Sequence, residues 1–166
     1  EFIWMKVLIV LTYYRPHVSG LTIYAERIAA ALAKRGNEVT VLTSQFDPTL
    51  PQEEVLEGVR IIRVPVLFRL SKGVIMPKFG LMASKLVKEN DVIQLHLPQF
   101  DAAGVALRGR LLKKPTVITY HCDLQLPPGL FNRVANLAVL LMNDLAARFT
   151  HRIVTYTDNY ARHSKY

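Results

Sequence analysis

Cysteine is nearly absent: Cys122 stands alone among 166 residues. A single thiol closes no internal disulfide, and no zinc-ligand spacing can be written around it. No cleavable leader pattern is present either, and together these absences favour a reducing, cytoplasmic setting. Long apolar runs are missing as well. The best of them, Leu137 to Met142, is bounded by Asn136 and Asn143, far short of the roughly 18 residues that a spanning helix needs. Acidic residues are in deficit, 13 Asp and Glu against 21 Lys and Arg, for a net charge of +8. Such a surplus suits nucleic acid, an anionic membrane surface or a phosphorylated ligand. No recognised nucleic-acid motif accompanies it, so nucleic acid ranks last. The eight glycines form neither GxGxxG nor GxxxxGK[ST], which removes the usual support for dinucleotide or P-loop phosphate binding.

What is present reads as one globular domain, 51% hydrophobic and 20% charged. A chain of this length buries enough surface to fold without metal or disulfide staples. Glu1 to Trp4 precede Met5 and read as residues added ahead of a native start, which leaves 5–166 as the expected domain.

Lys6 to Thr12, KVLIVLT, is a near-continuous apolar run of the kind found in strands covered on both faces. A loop with Pro16, Ser19 and Gly20 follows. Leu21, Ala25, Ile28, Ala29 and Leu32 then recur at helical spacing until Gly36 supplies a stop. Val39 to Ser44 predicts a second strand, Asp47 to Gly58 an excursion outside the core, and Val59 to Val66 a third strand. Pro77 to Glu89 predicts a helix, Asp91 to Leu97 the fourth strand and Asp101 to Leu112 the next helix. Pro115 to His121 predicts the fifth strand, Leu130 to Phe149 a long helix, and Arg152 to Thr157 a sixth strand leading to a helix start at Asp158. This alternation specifies an α/β three-layer, Rossmann-like domain with a mostly parallel sheet.

Open sheets of this kind bind ligands beyond the carboxyl ends of their strands. Three ends carry polar chemistry: Tyr13 to Gly20, His96 to Phe100 and His121 to Gln125. Gly20 opens a helix whose free amides suit an anion, although Ser19 and Gly20 also suit a simple helix cap. His121, followed by Cys122 and Asp123, could hydrogen-bond a sugar hydroxyl or take its proton; a strand-end histidine satisfied by backbone is the plain alternative. His96, one position inside its strand, suits a half-buried hydrogen-bonded role. Pro16, His17, His96 and Gln99 are further ligand-facing candidates at these strand ends. A metal shared by His96, His121, Cys122 and Asp123 is set aside, because neighbouring strand residues point to opposite faces. Arg60, Arg63, Arg69, Lys72, Lys78, Lys85 and Lys88 interleave with Val66, Leu67, Phe68, Val74, Ile75, Met76, Phe79 and Leu81. That mixture suits a segment resting on anionic lipid, and equally a solvated basic face over an ordinary core.

Four stretches, 5–43, DVIQLHLPQF, PTVITYHCDLQLPPG and HRIVTYTDNYARHS, together resemble the N-terminal domain of retaining GT-B glycosyltransferases of family 4. The family's opening signature has a Pro, a short gap, a Gly-Gly pair and a helix ending in an Arg-Gly-His-Glu-Val-like phrase. Its counterparts here are Pro16, Ser19, Gly20 and Arg35 to Val39, with Ser19 in place of the first glycine. The resemblance implies donor phosphate or sugar contact near Ser19 and Gly20. Thr119, His121 and Asp123 match a Thr-x-His-x-Asp phrase, which implies that His121 and Asp123 act at the sugar being transferred. Asp158 to Ser164 matches a polar segment after the sixth strand.

The resemblance further implies a nucleotide-diphosphate sugar as donor substrate, no cofactor, no metal, and a hydroxyl acceptor met by Pro16, His17, His96 and Gln99, lipid-linked in relatives working at the inner membrane face. The family's second, donor-binding domain with its Glu-x7-Glu phrase is not found before Tyr166, so the fragment alone is expected to be inactive. A non-catalytic membrane- or partner-binding module and half of a GT-B-fold nucleotide-sugar epimerase are the competing expectations.

Overall fold

The computed structural model describes residues 4–70, 73–121 and 130–155. Cys122, Asp123 and the segment Asp158 to Ser164, singled out above, lie outside the described residues. Thirteen elements follow in chain order: β1 (Lys6–Val10), α1 (Gly20–Lys34), β2 (Glu38–Gln45), β3 (Glu53–Leu56), β4 (Val59–Pro65), β5 (Phe68–Leu70) and β6 (Gly73–Ile75), then α2 (Phe79–Glu89), β7 (Val92–Leu97), α3 (Ala102–Leu111), β8 (Thr116–Tyr120), α4 (Leu130–Phe149) and β9 (Arg152–Thr155).

Seven strands form one sheet in the order β3-β4-β2-β1-β7-β8-β9, parallel throughout except for β3. The apolar run of β1 accounts for its place in the middle: Leu8, Ile9, Val10 and Leu11 are all completely buried. Each such side chain contributes roughly 1.5–3 kcal/mol relative to exposure. From β1 the chain winds outward through β2 and β4, then returns to the other side of β1 and continues through β7, β8 and β9. The strand order therefore reverses between β1 and β7, which opens a crevice at their carboxyl ends.

Two cores lie on the two faces of the sheet. Ala25 and Ala29 of α1 pack on Val7, Ile9, Leu11, Val39, Val41 and Ile61. On the opposite face, Phe79, Ala83, Leu86 and Val87 of α2 and Val105 and Ala106 of α3 join Leu8, Val10, Leu42, Leu95 and Ile118, with α4 adding Ala146. Gly109 of α3 is what lets that helix approach the sheet, since a Cβ there would fall 2.3 Å from Thr116 Oγ1.

The predicted stop of α1 is a Schellman ending. Gly36 has φ +88°, its amide donates to the Ala33 carbonyl, and the Asn37 amide donates to that of Leu32. The Trp4 ring covers Gly36, so close that a Cβ would stand 2.6 Å from it.

Two expectations need correction. The stretch 47–58 is not wholly an excursion, because Glu53–Leu56 adds an antiparallel edge strand to β4. The basic and apolar stretch over 60–88 does not form one surface either: Val74, Met76 and Phe79 are core, and the Arg63 side chain is 1% exposed beside Glu54. Leu67, Phe68 and Leu81 do remain exposed. Among the described residues no helix is long and apolar enough to cross a membrane.

Candidate functional site

The register of the parallel strands explains how the site residues meet. Ile9 pairs with Gln94, and His96 pairs with Thr119. Gln94, His96, Thr119 and, two positions on, His121 therefore share the sheet face that carries α1. The Gln94 Nε2 donates to Thr119 Oγ1 at 3.2 Å. The His121 amide donates to the Leu97 carbonyl at 3.2 Å, which extends the β7–β8 ladder by one residue. The imidazoles then meet, with His96 Nδ1 and His121 Nε2 2.8 Å apart and ring centroids 5.1 Å apart in a stacked arrangement.

Tyr24, on the second turn of α1, sets its ring against both, with centroids 5.9 Å from His96 and 5.2 Å from His121. It joins the start of α1 to the ends of β7 and β8 across the crevice.

Electrostatically the pair is held neutral. Burial, reinforced by the neighbouring His121, pushes the His96 pKa down to about 3, and burial pushes His121 down to about 4. At neutral pH both rings exchange hydrogen bonds as uncharged groups. The first candidate, His121, is half-buried at the strand end, whereas His96 is fully buried behind it. That burial replaces the expectation of a half-buried His96 open to an acceptor: its ring is turned to His121 instead.

The β1–α1 loop forms the opposite wall. Ser19 is the N-cap of α1, its Oγ accepting from the Thr22 amide at 3.1 Å, so its hydroxyl is engaged in capping. Gly20 is exposed, and nothing lies within 4 Å of where its Cβ would stand, which leaves its backbone approachable. No acidic side chain occupies the first turn of α1, so its partial positive charge is not offset there. His17 stacks on Tyr13 at 4.9 Å and meets Phe46 edge-on at 5.7 Å. Pro16 is exposed and follows a cis peptide bond, as does Pro98 after β7. Gln99 is 3% exposed, and both of its amide atoms lack a hydrogen-bond partner.

Sequence reasoning missed three participants. Tyr24 was hidden in an ordinary helical pattern. Asp101, on the loop after β7, has its carboxyl pKa raised by burial in spite of nearby Arg108. Arg63 looked like one more surface cation, yet it anchors the loop: Nη2 donates to the Arg15 carbonyl at 2.9 Å and Nη1 to that of Pro51 at 3.0 Å.

The described residues thus define an open α/β domain whose strand order reverses between β1 and β7. Among solved structures the chain is similar to the sucrose-phosphate synthase of Thermosynechococcus elongatus, with 17% identity and a TM-score of 0.63 over 95% of this chain. It spans 44% of the length of that protein. Curated proteins give no match. The description of Glycosyltransferase Family 4 matches residues 18–165, and the chain belongs to that family as its N-terminal domain.

Proposed function

We propose that this domain is the acceptor-side half of a retaining glycosyltransferase that moves a sugar from a nucleotide-diphosphate donor to a hydroxyl acceptor. A second domain closes over the crevice, excludes water and brings donor and acceptor together. The amides at Gly20 face the donor's phosphate or sugar. His121, with Asp123 beside it in sequence, orients the sugar; Pro16, His17 and Gln99 border the acceptor's approach. Most stabilisation of the departing diphosphate comes from the second domain. The acceptor is lipid-linked and met at an anionic membrane surface, a reading supported by the net charge of +8 and the exposed Leu67, Phe68 and Leu81.

The observation that carries this reading is the convergence of His121, Tyr24 and the start of α1 at one crevice, in a chain of Glycosyltransferase Family 4. The test is His121→Ala in the full-length enzyme. Loss of a hydrogen bond made in the transition state lowers transfer by about 10- to 100-fold. An unaltered rate with the native acceptor removes His121 from the mechanism.

A further inference from the structure

We propose that His96 is a positioning residue that fixes the tautomer of His121, holding its proton on Nδ1 with Nε2 as the hydrogen-bond acceptor. A neutral imidazole carries one N–H, and a hydrogen bond between two ring nitrogens needs one proton between them. The 2.8 Å contact from His96 Nδ1 to His121 Nε2 therefore has two possible arrangements.

In one, His121 Nε2–H donates to His96 Nδ1. His96 must then carry its own proton on Nε2, an atom that is fully buried and has no hydrogen-bond partner. That leaves an N–H donor stranded in the core, the kind of orphan that folded proteins nearly always avoid. In the other, His96 Nδ1–H donates to His121 Nε2, only a lone pair of His96 is left bare, and His121 keeps its proton on Nδ1. The second arrangement is the stable one.

The surroundings hold the geometry. His96 sits inside β7 with no exposed surface, its backbone in register with Thr119 of β8, and the Tyr24 ring lies against both imidazoles. Gln94, on the same face one pleat earlier, is bonded to Thr119. The consequence for sugar transfer rests on the proposed function: with its Nε2 lone pair occupied by His96, neutral His121 has no free lone pair with which to act as a base. The tautomer itself does not depend on that function.

Long-range 15N–1H correlation spectra of the labelled chain at pH 7.5 test the assignment. The expected pattern is a pyrrole-type Nδ1 and a pyridine-type Nε2 for His121, with a pyrrole-type Nδ1 for His96. In His96→Leu, the His121 nitrogens should move to the averaged shifts of an imidazole exchanging between tautomers. A pyrrole-type Nε2 on His121 in the unmodified chain overturns the proposal, as does an unchanged His121 pattern in a folded His96→Leu. The unmodified chain decides the question even if the variant does not fold. A sugar-transfer assay that fails while the tautomer pattern holds counts against the proposed function alone.

Discussion

Arg63 and Arg15 are 48 positions apart, yet the guanidinium of the first donates to the carbonyl of the second at 2.9 Å, tying the end of β4 to the loop that leads into α1. The same guanidinium meets Glu54 on β3 and the Pro51 carbonyl. A cation buried this deeply is tolerated because those partners surround it, and removing it leaves them unpaired. Arg63→Met should destabilise the fold by about 3 kcal/mol, lowering Tm by roughly 10 °C. Thermal unfolding measures it. A shift under about 2 °C would show that the network contributes little.

The two neutral histidines make stability depend on pH. Their folded-state pKa values lie at about 3 and about 4, below the ordinary 6.5. Between those limits the unfolded chain binds more protons than the folded one, so stability rises with pH and is lost as pH falls from 6.5 toward 4. Fully buried His96 alone contributes a slope of about 1 kcal/mol per pH unit in the middle of that window. Urea unfolding at pH 7.5 and pH 5 should show the loss, and His96→Leu should flatten it. Equal slopes in both proteins would refute the assignment.

Gly20 offers a cleaner probe of ligand approach, because its Cβ direction is open. Gly20→Leu should leave stability within about 0.5 kcal/mol. In the full-length enzyme it should still lower kcat/KM by about 10-fold, mainly through KM for the donor, if a ligand sits against these amides. Unchanged kinetics would place the ligand elsewhere.

Much of this architecture is legible in the residues. KVLIVLT and DVIQLHL announce buried parallel strands, and Gly36 announces the end of α1. Other elements carry no such signal. Glu53–Leu56 is short and acidic and becomes a strand only because β4 offers an edge. The antiparallel β5–β6 pair, Phe68 to Ile75 in pairing, is hidden among cations. The site was legible as three strand ends but not as a constellation. His96 and His121 are 25 positions apart, and only the parallel register that sets Leu97 beside Tyr120 brings their rings together. Arg63 had to be seen in place, since sequence does not separate a buried cation from a solvated one.

Membrane association is a separate matter for vesicles. With Val74, Met76 and Phe79 in the core, the exposed apolar residues among those described in this region are Leu67, Phe68 and Leu81, 69%, 50% and 79% exposed. The protein should sediment with vesicles containing anionic lipid and less with neutral ones, and Phe68→Glu with Leu81→Glu should reduce pelleting several-fold. Failure to pellet with either composition would count against a membrane-borne acceptor.

Sugar transfer is tested most directly by turnover of the full-length enzyme. Incubated with a panel of nucleotide-diphosphate sugars and hydroxyl acceptors, it should release nucleoside diphosphate in step with a glycosylated product that keeps the donor's anomeric configuration. No turnover of any donor would contradict sugar transfer and leave this domain as a binding module.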